Sequence, residues 1–438
     1  MPVQRLKTSY VLLAVFFAVV TQTSTRCADN IEIEVATFQG GFGIDFFERS
    51  AREYEKLHPH VKIKLWGHPR VWEKLMPRFG SGKPPDLTWP GAEMNLYEMI
   101  KGGQLFAWDD YLKQPASGSD KQWLDTFKPS LMALQKYRGR YYMLPYQVTA
   151  FGWYFNRKLF RENGWTPPQT YSELLALCEK IKAKKIAPVT FTGRYPQYPI
   201  LGMFFPWMVS AGGYAPYKAA ENLEPGAWKH PAILRAAETI MEMKQRGNFE
   251  NGCIGMNHTE SQMEFLMGRA AMILCGTWFH SEMANVMDKD FEAEFMLTPR
   301  FDDQQDTGTY LMASVDGQWI LPAKGRHRDV AADFYRFMSS PDKSREFMEQ
   351  KGTLMAVYPT QPVNAPETMK EPLRHYLAAK ATMWSHTDAW YPAMGKAMVN
   401  SFRDLYNEQI TPAEFIGSIE LEADKIRRDP EVDRFTLE

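Results

Sequence analysis

The sequence predicts an α/β fold in two to three domains, with helices finishing the chain. Three observations carry this. Segments with apolar–polar alternation and segments with near-helical apolar spacing follow one another through the first three quarters. The 438 residues are too many for one ordinary core. The remainder turns helical, in VAADFYRFM, DKSREFMEQKG and a long stretch over 389–429.

Taken in order, IEIEVATF (31–38) alternates apolar and polar residues and predicts a strand. Gly40, Gly41 and Gly43 form a permissive loop. Asp45 is placed to cap a helix carrying Phe47, Ala51, Tyr54 and Leu57, and Pro59 stops it. VKIKLW (61–66) completes a βαβ unit, whose crossover should be right-handed. VWEKLMPRFGSG supplies a helix, and PDLTWPG (85–91) a short strand and turn. AEMNLYEMIKGG is a helix closed by Gly102 or Gly103. GRYYMLPYQVTAFGWYFN (139–156) is extended and aromatic. Thr170 and Glu173 form a capping box for a helix over 171–184, and APVTFTG (187–193) is a strand. Helical patterns near 199–210, 231–246 and 258–268 precede strands in FLMGRAAMILCGTW, FEAEFMLTP and DGQWILPA. No repeat of 20–50 residues and no low-complexity linker appears, so composition marks no domain boundary.

Residues 1–28 read as a secretory signal peptide: Arg5 and Lys7, then the uncharged run Tyr10–Val20, then TQTSTRCA. The run is too short to span a bilayer, which needs about 20 residues. Cys27 lacks the preceding residues of a lipid-anchor signal, so a periplasmic protein without lipid is expected. Removing 1–28 takes away Arg5, Lys7 and Arg26 and no acid, leaving 48 basic and 52 acidic residues, net −4. That charge argues against nucleic acid as the main partner. Three cysteines remain, Cys178, Cys253 and Cys275. An odd count is not a disulfide framework, and whether Cys253 and Cys275 pair stays open.

No H-E-x-x-H, G-x-S-x-G or C-x-x-C occurs, and Gly80-Ser81-Gly82-Lys83 fails phosphate-loop spacing. His58 and His60 read as a solvated helix end rather than a metal site. No catalytic residue, metal or cofactor is assigned. Aromatic residues beside glycine or proline at strand ends stand out instead. Ligands of open α/β sheets bind beyond strand carboxyl ends, and flat aromatic faces suit the C–H face of a sugar. Such positions are Phe42 near Gln39, Trp89 before Pro90-Gly91, Tyr146 and Gln147 after Pro145, and Trp278 after Gly276. Trp207, in Phe204-Phe205-Pro206-Trp207, is a further candidate, whereas Trp66 ends an alternating strand and reads as core.

In five stretches, in order, the sequence resembles the extracellular solute-binding proteins of sugar ABC importers, the group that includes maltose-binding protein. They are EYEKLHPHVKIKL; SGKPPDLTW with GGQLFAWDDYL; RGRYYMLPYQVTAFGWYFNRKLFRENGWTPPQTYSELLALCEKI; FLMGRAAMILCGTW; and DVAADFYRFM with PDKSREFMEQKG. The resemblance implies a type II periplasmic-binding fold, two lobes joined by crossing strands with ligand clamped between them. It makes Ala270–Leu274 a crossing strand, with room at Gly276 and a sugar platform in Trp278. Trp89 and Trp390 match two further platforms. Gln39 stands where the first loop hydrogen-bonds ligand. Gln147 and Thr149 stand where the family often has a carboxylate, and Asp316 falls at the start of a late strand. The expected lobes are 29–147 with 276–322, and 148–275 with 323–438. The expected partners are a mono- or oligosaccharide and a membrane permease, with the binding protein a monomer. A secreted glycoside hydrolase or lyase, or a binding protein feeding a membrane sensor, is the alternative.

Overall fold

The computed structural model describes Met1 and residues 30–91, 93–304 and 308–437. The expected signal peptide, apart from Met1, lies outside the described residues. Among the described residues no helix is long and apolar enough to cross a membrane.

The chain forms two lobes strung on one continuous sheet. The first lobe starts with β1 (Ile31–Phe38), β2 (Val61–His68) and β3 (Leu87–Trp89). The alternation in β1 buries Ile33 and Val35 and leaves Glu32 exposed. The intervening helix Asp45–Leu57 buries Phe46, Phe47, Ala51 and Tyr54 on one face. Its cap differs from expectation. Ile44 is the N-cap, and Asp45 sits in the first turn, where it pairs with Arg49 at 2.9 Å and Lys351 at 2.5 Å.

β4 (Met143–Asn156) is buried along its whole length. Its 14 residues span roughly 45 Å at about 3.3 Å each, enough to run from one lobe into the other. β5 (Ala187–Thr190), β6 (Ala270–Gly276) and β7 (Ala293–Met296) belong to the second lobe. β8 (Tyr310–Pro322) runs back antiparallel to β4, from Met312 opposite Phe151 to Ile320 opposite Met143. The strand order is β2-β1-β3-β8-β4-β6-β5, with β7 paired to the far end of β4. Thr170 and Glu173 make the expected capping box.

The packing differs from the expected lobe division at two places. β6 is not a crossing strand. Along β4 it pairs only with the second-lobe half, Phe151–Phe155, its other neighbour is β5, and the return is made by β8. Both are apolar runs with glycine, and length separates them. Seven residues cover roughly 23 Å and 13 roughly 43 Å. β7 pairs with the same half of β4, Trp153–Asn156, so Ala293–Met296 stays with the second-lobe strands. The helices Arg328–Met338 and Pro341–Lys351 pack the other way from expectation. Their Ala331, Phe334, Tyr335 and Phe347 share a core with Ile33, Phe46 and Leu87 of the first lobe. Only the later helices, Pro392–Tyr406 and Pro412–Arg428, join Leu174, Phe204 and Trp228 in the second-lobe core.

Cys178, Cys253 and Cys275 are all buried and free, so Cys253 and Cys275 do not pair. Burial pushes each thiol up to about 12. A thiol-reactive dye is expected to leave the three untouched in the folded protein and to label all three after denaturation. A reductant is expected to leave Tm unchanged.

Candidate functional site

The cleft lies where the crossing strands pass between the lobes. Residues opposite each other in β4 and β8 share a face, and Gln147 stands opposite Asp316. Gln147 Nε2 donates to Asp316 Oδ2 at 2.9 Å. Gln147 is 1% exposed, and its Oε1 has no hydrogen-bond partner. Burial raises the Asp316 carboxyl above its ordinary pKa, and the Gln147 bond offsets only part of this. Asp316 lies in mid-strand rather than at a strand start. The next residue, Gly317, has φ +91, a left-handed backbone conformation that favours glycine.

A cavity of about 190 Å³ opens on this pair. The first lobe lines it with Phe38, Phe42 and Trp89, and the crossing strands with Gln147, Thr149 and Asp316. The second lobe adds Trp278, Ser281 and Glu282. Trp89 is packed edge-on to Phe38, with centroids 5.3 Å apart. Trp278 meets Phe151 at 5.7 Å and Tyr198 at 6.0 Å, both edge-on.

β6 places Trp278. Thr277 N donates to Ala150 O at 2.9 Å, and Ala150 N donates to Thr277 Oγ1, so the chain stays tied to β4 as β6 ends. The Trp278 ring then folds back over Gly276. A Cβ there would stand inside 3.0 Å of three ring carbons. A short helix, Phe279–Met283, follows, and Glu282 N donates to Trp278 O at 3.0 Å. Glu282 is therefore four residues on and on the same side as Trp278. Gln262 Nε2 donates to Glu282 Oε2 at 2.8 Å.

Other candidates stand elsewhere. Gln39 is exposed at the rim, while its neighbours Phe38 and Gly40 line the cavity. Tyr146 points to the opposite face of β4, is 1% exposed, and donates to Met338 O at 3.2 Å. Trp207 is fully buried and donates to Pro299 O at 2.9 Å. Trp390 is 8% exposed and stacks on Phe435 at 5.1 Å. Glu282 and Ser281 are cavity residues that the sequence reading did not single out. Their signal is their spacing from Trp278 along one helical turn.

A larger cavity, about 560 Å³, lies near Val209, Arg300, Glu371 and Arg374. Neither Trp89, Trp278 nor the Gln147–Asp316 pair lines it. Among the described residues no group of three His, Cys, Asp or Glu could hold a metal ion.

His280, in the helix behind Trp278, packs edge-on to Tyr154 and Phe279, and its Nε2 has no partner. Burial lowers its pKa to about 4 from 6.5. The folded chain resists a proton that the unfolded chain accepts below about 6.5. Stability is therefore full above 6.5 and is lost as pH falls towards 4. Denaturant titrations at pH 7 and 4.5 are expected to show His280→Phe losing roughly 1–3 kcal/mol less than the unaltered protein.

Comparison with known proteins agrees with this geometry. The family model described as bacterial extracellular solute-binding protein matches residues 43–344. A diacetylchitobiose binding protein of Streptomyces coelicolor is 26% identical over 326 residues, covering 74% of this chain and 69% of that protein. The multiple sugar-binding protein of Streptococcus mutans is 22% identical, covering 70% of each chain. Among solved structures, a chitin oligosaccharide binding protein superposes with TM-score 0.69 at 20% identity, over 91% of this chain and 99% of that one. The solute-binding protein RafE in complex with raffinose gives 0.65 at 18%, over 90% and 99%. These likenesses show the fold, which is the two-lobed type II architecture. With its two lobes, its crossing strands and a family match over most of its length, the chain belongs to the bacterial extracellular solute-binding protein family.

Proposed function

We propose that the chain captures a carbohydrate between its lobes and delivers it to an ABC-type membrane permease, as an exported protein. One observation carries the reading. Trp89 from the first lobe and Trp278 from the second line the same cavity, with the Gln147–Asp316 pair between the lobes. Tryptophan faces offer apolar contact to a sugar ring, and the polar pair orients its hydroxyls. Closure gains contacts from the second lobe only when ligand is present, so ligand favours the closed form. At about 190 Å³ the cavity is smaller than the ~300–1,000 Å³ of larger ligand pockets. That suits one enclosed ring. The named relatives are sugar-binding proteins, which supports the ligand class.

Thermal unfolding against a carbohydrate panel tests this. A true ligand at 100 times its Kd adds about 2.7 kcal/mol and raises Tm visibly. A panel with no saturable response overturns the proposal. Cleavage of the bound sugar would indicate a glycoside hydrolase, since Asp316 and Glu282 put two carboxylates on the same cavity.

A further inference from the structure

Three side-chain donors near the cleft are used internally. Gln147 spends its amide N–H on Asp316, Gln262 spends its own on Glu282, and Ser281 Oγ donates to Trp278 O at 2.8 Å. Beside the Thr149 hydroxyl and the Trp89 indole, which also line the cavity, what remains around this pair is a set of acceptors: Gln147 Oε1, without a partner, and the second oxygens of Asp316 and Glu282. Among the described residues no lysine, arginine or histidine lines the cavity. We propose that Asp316, Glu282 and Gln147 select a sugar that presents only donors to them, best met by a free amino group as ammonium, and reject acidic sugars. An ammonium brings three donors and a compensating charge, whereas a hydroxyl must find a donor for its own oxygen. A carboxylate or phosphate would meet two like charges with no cation in reach. Asp316 is buried beside Gln147, with no cation among the groups that shift it, so an ammonium would supply the missing countercharge. This rests on the carbohydrate reading above.

The experiment is calorimetric titration at pH 7 with matched mono- to trisaccharides of four kinds: neutral, amino, N-acetylamino and uronic acid. The amino series is expected to bind at least tenfold more tightly than the neutral one, with no detectable binding of uronic acids. Asp316→Asn and Glu282→Gln are each expected to shrink the amino-to-neutral ratio several-fold. Equal binding of amino and neutral sugars, or binding of uronic acids, overturns the selectivity and leaves the carbohydrate reading intact. Failure of all four series overturns both.

A second observation is independent of ligand. Residues 432–437 touch both lobes. On the first lobe, Asp433 accepts from Tyr137 Oη at 2.5 Å and Arg138 at 2.8 Å, with Lys101 at 3.8 Å. On the second, Phe435 N donates to Tyr391 Oη at 2.9 Å, and Leu437 N donates to Asn222 Oδ1 at 2.6 Å. Phe435 lies between Tyr97 of the first lobe and Trp390 of the second, at 4.9 and 5.1 Å. Trp390 Nε1 itself donates to Tyr97 Oη at 2.9 Å. We infer that this segment is a strap that holds the lobes at the angle seen here. Phe435→Ala combined with Asp433→Ala is expected to enlarge the ligand-free radius of gyration in solution scattering. It is also expected to weaken ligand binding several-fold, because less of the population is ready to close. Asp433→Asn alone, at a partly exposed site, should move both readouts in the same direction. An unchanged radius and affinity in both variants overturns the strap.

Discussion

Trp278→Ala is expected to weaken carbohydrate binding by roughly 30- to 1,000-fold, about 2–4 kcal/mol, while the protein stays folded. The ring is a large apolar surface presented to the cleft, and it is held in place before ligand arrives. Phe151 and Tyr198 pack edge-on against it, so little ordering entropy is lost on binding. Trp89→Ala is expected to act similarly from the other lobe, with less than additive loss in the double variant, because a ring lost from one side lets sugar shift towards the other. Titration calorimetry measures both. An affinity within threefold of the unaltered protein in either single variant would remove that tryptophan from the site.

Gly276→Ala is expected to be nearly as harmful to binding, although residue 276 does not line the cavity. An added Cβ would stand inside 3.0 Å of three carbons of the Trp278 ring. Backbone movement is resisted by the bonds between Thr277 and Ala150, so the ring must leave. The expected result is a 10- to 100-fold loss of affinity and roughly 1–3 kcal/mol of destabilisation from overpacking. The check is a double-mutant cycle. With Trp278→Ala already present, Gly276→Ala should change affinity by less than threefold, because the clash partner is gone. Equal effects of Gly276→Ala in both backgrounds would show that the glycine acts by some other route.

The first βαβ unit was legible because alternation and helical spacing are local signals, and β1, β2 and the helix between them obey both. Trp89 and Trp278 were legible as aromatic residues next to glycine or proline at strand ends, and the cavity contains both. Tyr146 shows the limit of that signal. It neighbours Gln147, but the two-residue period of a strand sends it to the opposite face, and only the register decides which face meets the cleft. Trp207 looks like a platform by composition, yet the carbonyl that satisfies its indole lies 92 residues away. Trp390 is covered by Phe435, a contact that nothing local announces. β6 and β8 look alike in the sequence because apolar content does not report where a strand goes. Length and pairing do, and pairing is a property of the fold.

The central claim is that both lobes grip one sugar without altering it. Titration calorimetry of the protein and of the Trp89→Ala/Trp278→Ala double variant, with the bound sugar recovered and its mass determined, tests that claim most directly. Saturable one-to-one binding, loss of that binding in the double variant, and recovery of intact sugar are predicted. Undiminished binding by the double variant, or recovery of cleaved sugar, would contradict it.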